Sequence, residues 1–171
     1  MTSRTTTITA TGLTALAIAA ALTACAPTPE PTPTPTGFAS EAEAFAAAEA
    51  TYRAYVDATN AARADPSHSP SPESFLRGEA LEDEIEAARQ LTDLGLSISG
   101  ETVVSEVRPK ILSQDRVAIE VCLDSSRTRL IDQEGTDVTP SRETPTLVNV
   151  ELVHAGDYYI TSSTTQQTGS C

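Results

Sequence analysis

From Ser40 onward, apolar and polar positions follow two successive rhythms, one of three to four residues and then one of two. Phe45, Ala48, Tyr52, Tyr55 and Thr59 recur at spacings of 3, 4, 3 and 4, which predicts a helix with one apolar face. Ser40-Glu41-Ala42-Glu43 in front of it is a capping-box pattern, and Phe38 is placed to staple the entry turn. Asp65-Pro66 stops the run, because a proline disfavours helical backbone in the residue before it. Ser67 to Pro72 reads as a loop, and a short turn over Glu73–Arg77 breaks at Gly78. Leu81, Ile85, Ala88, Leu91 and Leu94 then mark a second helix over about Glu79–Asp93, closed by Gly95. Its acids Glu79, Glu82, Asp83, Glu84 and Glu86 read as a solvated face, near the helix N-terminus where negative charge suits the dipole.

From Leu96 the period is two. Thr102–Leu112, Arg116–Asp124, Thr146–His154 and Tyr158–Gln166 are rich in β-branched residues and predict four antiparallel strands. Val117, Ile119, Val121 and Leu123 alternate without a break. Ser113-Gln-Asp115 and Ala155-Gly-Asp157 are tight connections, and Pro109 belongs at an edge or a bulge because it offers no N–H to a neighbouring strand. Residues 125–145 form a long excursion in which Arg127–Ile131 is a candidate for pairing and Asp132-Gln-Glu-Gly135 turns. Helices followed by a run of strands predict an α+β domain, with N-terminal helices packed on one face of a curved four-stranded antiparallel sheet.

The first 24 residues obey neither rhythm. They hold one charge, Arg4, and an apolar run from Gly12 to Leu22, too short for a spanning helix of ~20 residues and suited to an export signal. The run ends in Leu22-Thr23-Ala24-Cys25, which resembles a bacterial lipobox; that resemblance implies lipid attachment at Cys25 and cleavage just before it. Removing 24 of 171 residues leaves 147. Five of the 11 prolines lie between positions 27 and 35, so the segment after Cys25 favours polyproline II and reads as a semi-rigid stalk. The expected organisation is a signal peptide over 1–24, a lipidated Cys25 with its Pro/Thr-rich spacer over 25–37, and one domain over 38–171.

With 11 Lys+Arg against 24 Asp+Glu the formal charge is −13, so the basic footprint needed for phosphate contacts is absent and nucleic acid is not an expected partner. The expected partner surface is the membrane, reached through the lipid, with the domain on the extracytoplasmic side. One lysine against ten arginines suits a high-GC genome. The order of elements, Phe75-Leu-Arg-Gly-Glu-Ala-Leu81, Val121-Cys-Leu-Asp-Ser125, the Asp132–Gly135 turn and the terminal Cys171 together resemble small secreted lipoproteins of high-GC Gram-positive bacteria with a nuclear transport factor two-like, cystatin-like cone domain. Such domains often carry a Trp in the last strand, where this chain has Asp157-Tyr-Tyr159. The resemblance implies a cone fold, which hosts isomerases, dehydratases and inert scaffolds alike.

Cys122 and Cys171 remain as a pair once Cys25 is lipidated, and an oxidising compartment favours a disulfide between them. The rival roles are a reactive thiol or a metal pair, but the only histidines, His68 and His154, lie far from either cysteine in sequence. No metal site or cofactor is expected, and no hydrolase or phosphate-loop motif is present. The remaining route to catalysis is the tyrosine and acid pairing of cone-fold isomerases. Tyr52 and Tyr55 share the apolar face of the first helix, whereas Asp57 lies about 160° from Tyr55 at ~100° per residue, so the sequence does not place an acid with them. The expected role is non-catalytic binding or scaffolding at the cell envelope. The alternatives are an isomerase- or dehydratase-like enzyme and an accessory lipoprotein for a small apolar or sugar ligand.

Overall fold

The computed structural model describes residues 40–113, 115–167 and 169–171. The segment expected to be an export signal, Cys25, the proline-rich segment and Phe38 lie outside the described residues. Helix α1 (Glu41–Ala64) begins where the capping pattern puts it, with Ser40 Oγ accepting from the Glu43 N–H at 3.2 Å. It ends at Asp65, which is extended as the following proline requires. The buried side chains are Ala44, Ala48, Tyr52, Val56 and Ala58, with Phe45 and Tyr55 half-buried beside them. Alanines along this stripe let the helix lie close to the sheet, and Tyr52 supplies the volume at its centre.

After a single 3-10 turn at Pro72–Phe75 comes α2 (Glu79–Asp93). Its end is a Schellman closure: the Leu96 N–H donates to Leu91 O at 2.8 Å and the Gly95 N–H to Thr92 O at 3.0 Å. Gly95 there takes φ +66°, the left-handed region that glycine enters without a Cβ penalty.

Six strands follow. β1 (Ser97–Ser99) and β4 (Arg129–Ile131) form a small antiparallel pair, while β2 (Val103–Leu112), β3 (Arg116–Asp124), β5 (Thr146–Ala155) and β6 (Asp157–Thr165) form the main sheet in the order β2-β3-β5-β6. Every pairing in that sheet is antiparallel, so the expected class holds: two helices on a four-stranded antiparallel sheet. Pro109 lies on the edge strand β2 beside a register shift, as a missing N–H dictates. Arg127–Ile131 pairs in part, through Arg129–Ile131, with Ser97–Ser99. Asp132 Oδ1 accepts from the N–H groups of Glu134 and Thr136 and closes the predicted turn. Arg142 ties the rest of the excursion down by donating to Ser125 O at 2.8 Å and Thr128 O at 2.9 Å.

The core lies between α1 and the inner face of the sheet, where Tyr52 meets Val117, Ile119, Val121, Val150, Leu152 and Ile160, all at most 1% exposed. The outer face is polar over much of its area, with Lys110 bonded to Glu120 at 2.7 Å and to Asn149 at 3.0 Å. Cys122 and Leu147 are cross-strand neighbours on that outer face, and both are buried. The C-terminal tail covers them, with Cys171 bonded to Cys122.

Both edges of the sheet are partly capped. Leu76 bridges Ile160 and the Arg77 N–H donates to Ile160 O at 2.9 Å, so β6 is not an open template. At the other edge, Arg53 donates to Val104 O at 3.0 Å, and the Asn60 side chain makes two bonds to the Thr102 backbone, at 2.8 and 2.9 Å.

Candidate functional site

Helix α2 is seated in a way its hydrophobic pattern does not predict. Leu81, Ile85 and Ala88 lie within about 60° of one another at ~100° per residue, yet Ile85 is 38% exposed and Ala88 is exposed. The residues turned toward the domain are Ala80, which is buried, and Leu81, Glu84 and Leu91, which are half-buried, with Leu81 packed against the core. Two members of the apolar pattern, Leu81 and Leu91, thus face the domain, while Ile85 and Ala88 do not and Glu84 does. Glu84 therefore does not belong to the solvated acidic face; Glu79, Glu82, Asp83 and Glu86 do.

This seating brings Glu84 to Tyr55. The Tyr55 hydroxyl donates to Glu84 Oε2 at 3.2 Å, across 29 residues of sequence. Burial first, and then the neighbouring Glu84 carboxylate, push the Tyr55 phenol well above its ordinary pKa, so it remains a protonated donor. Tyr52 stands beside it with ring centroids 5.8 Å apart, and burial raises its phenol to about 12 against a smaller opposing pull from a hydrogen bond with Ser163. Arg63, one helical turn beyond Thr59, donates through Nη1 to Thr102 Oγ1 at 3.1 Å and Asn60 Oδ1 at 3.2 Å. Burial lowers its pKa, and the nearby Tyr55 and Glu84 partly oppose that.

Tyr55 stands between two hollows. One, of about 250 Å³, is bounded by Tyr52, Thr59 and Arg63 from α1, Thr102 before β2, Ser125 after β3 and Ser163 from β6. The other, of about 170 Å³, is bounded by Leu76, Ala80, Asp83 and Glu84 together with Ile160 and Ser163. Tyr55 and Ser163 line both, so the two hollows adjoin.

The acid that the sequence reading weighed, Asp57, is exposed and points away, as its helical angle requires. The acid that does reach Tyr55 comes from α2. Pattern reading missed it because Glu84 stands inside a run of acids and off the apolar stripe. Ser163, Arg63 and Ser125 were missed as well, since chain folding alone brings them together. His154 is half-buried on β5 and meets Tyr158 edge-on at 5.3 Å, and His68 is exposed in its loop. Neither belongs to the cleft. Cys122 and Cys171 are joined with Cα atoms 5.5 Å apart, which makes them a structural staple.

No protein-family model matches the chain, and no curated protein matches its sequence. Among solved structures it is similar to the intermembrane space region of the chloroplast protein ARC6, at a TM-score of 0.51 and 18% identity. The match covers 71% of this chain and 95% of that one. At that identity the likeness speaks to the fold alone.

Proposed function

We propose that this chain is an exported lipoprotein, held in the membrane by a lipid on Cys25, whose domain binds a ligand or partner at the extracytoplasmic face without converting it. On this reading it is of the same kind as the small lipoproteins of high-GC Gram-positive bacteria that carry a nuclear transport factor two-like domain. The observation that carries the non-catalytic part is the state of the interior. The centre of the space between α1 and the sheet is filled by Tyr52, Val117, Ile119, Val121, Leu152 and Ile160, none more than 1% exposed. Open hollows lie around that centre, among them the cleft whose tyrosines are held protonated by burial and a wider one of about 620 Å³ lined by Glu41, Phe45, Glu49, Val107, Pro109 and Ile119. A cone-fold isomerase instead needs a substrate-sized interior with a base inside it. The anchor rests on the lipobox-like Leu22–Cys25 and the proline-rich stalk behind it.

The test separates the two halves of the reading. Full-length chain expressed with a palmitate label in an actinobacterial host is expected in the membrane fraction, labelled, and cut before Cys25. Cys25→Ala should lose the label and either leave the membrane or accumulate as precursor. A wild-type protein that is soluble and unlabelled refutes the anchor and leaves the domain's binding role to be judged by its cleft.

A further inference from the structure

We propose that the cleft around Tyr55 is a binding site for a small, neutral, hydroxylated molecule, a monosaccharide or a polyol. This rests on the binding reading above and assigns its site and ligand class.

The first argument is the seating of α2. Turning Ile85 and Ala88 inward would bury apolar surface at ~25 cal/mol per Å². The fold instead leaves both exposed and directs a carboxylate to a phenol. Departures from local pattern of this kind concentrate at functional sites.

The second argument is the chemistry of the lining. Six hydroxyl side chains, those of Tyr52, Tyr55, Thr59, Thr102, Ser125 and Ser163, surround the larger hollow. Tyr55 and Thr59, which already donate to Glu84 and to Tyr55 O, keep acceptor positions, and Thr102, which accepts from Arg63, keeps its donor, a complement to a sugar's own hydroxyls. The one cation there, Arg63, already serves Thr102, Asn60 and, at 3.4 Å, Gly100 O. Its charge is also answered by Glu84, which faces the cleft from the neighbouring helix. A site in which one such cation is matched by Glu84, with Asp83 a second carboxylate at the smaller hollow, favours a neutral ligand over an anion. Apolar walls from Val56 and Leu123 suit the C–H faces of a ring.

The third argument is size. Hollows of about 250 and 170 Å³ fall below the ~300–1,000 Å³ typical of sites for drug-sized ligands, so a single ring fits and a polyketide or steroid does not.

The chain has no tryptophan and two of its four tyrosines, Tyr52 and Tyr55, line the cleft, so tyrosine emission changes when the cleft is filled. Full-length protein in a sugar-free detergent would be titrated with N-acetylglucosamine, arabinose and myo-inositol up to tens of millimolar, with ethylammonium, acetate and inorganic phosphate as charged probes. The expected result is a saturable change with at least one hydroxylated probe and none with the charged ones. Ser163→Ala and Glu84→Gln should each weaken that binding about tenfold, while Ile85→Ala leaves it unchanged. If Glu84→Gln loses its far-ultraviolet dichroism, Ser163→Ala decides. No saturation with any hydroxylated probe, preference for a charged one, or full affinity in Ser163→Ala overturns the proposal. Proton spectra of each probe after a day with the protein address the other level, since a converted probe refutes the non-catalytic reading itself.

Discussion

Helix α1 buries Ala44, Ala48, Tyr52 and Val56 in the core against the inner face of the sheet, whereas α2 buries only Ala80, packs Leu81 beside it and adds the Tyr55–Glu84 hydrogen bond. The two helices differ little in how well their sequences form helix. They differ in how much turns inward: on α1 small and aromatic residues whose volume fills the core, on α2 Ala80 and Leu81 beside a carboxylate. Burial by volume therefore ties α1 to the core more firmly than α2, to which the Glu84 hydrogen bond adds ~0.5–1.5 kcal/mol net.

The strongest way to break that contrast is at Tyr52. Tyr52→Ala should cost ~3–5 kcal/mol in urea unfolding, because the side chain is 1% exposed and its neighbours cannot collapse into the space. A smaller loss, under about 1 kcal/mol, would mean that α1 is not the volume-bearing element. Next comes the staple. Cys171→Ser should lower stability by ~2–4 kcal/mol, since the bond closes a loop with a separation of 49 residues, and far-ultraviolet dichroism should survive.

Alkaline titration ranks third. A phenol whose folded-state pKa lies above its unfolded value of about 10 stabilises the fold fully below that pH and ceases to do so as pH rises through the folded value. For Tyr52, at about 12, the window is pH 10 to 12 and the loss is of order 2 kcal/mol. Tyr55 shifts in the same direction, mainly through burial. Melting temperature should therefore be flat with respect to these groups below pH 9 and fall above pH 10, and Tyr52→Phe should flatten part of that fall. The smallest effect sharpens the comparison most. Tyr55→Phe should cost ~0.5–1.5 kcal/mol and speed amide exchange in α2 but not in α1, while Ile85→Ala changes stability by no more than about 0.5 kcal/mol. Equal acceleration in both helices would show that they open as one unit.

How far the sequence anticipates these results depends on whether a signal is local. β3 is found over Arg116–Asp124 as predicted, because its alternating Val117, Ile119 and Val121 leave one register in which all three are covered. The end of α2 is legible for a similar reason, since only a glycine takes the Gly95 conformation cheaply. The short strand Ser97–Ser99 is not legible, as three residues carry no period and its partner lies about thirty residues on. Nor is the rotation of α2. Its apolar stripe is right for Leu81 and Leu91 and wrong for Ile85 and Ala88, because the pattern weighs only transfer from water and not the hydrogen bond that Tyr55 offers from another helix. The disulfide needed no such information, being a matter of compartment and parity.

The Cys122–Cys171 bond also gives the domain a mechanical property. β4, β5 and β6 all lie inside the covalent loop, which holds roughly 170 Å of contour at ~3.5 Å per residue. When a tether before α1 and a load on the tail pull the domain apart, that length stays withheld while α1, α2 and the strands up to β3 can be drawn out. Tension on such a molecule would meet a hard limit at β3, so a reducing step would lengthen it abruptly.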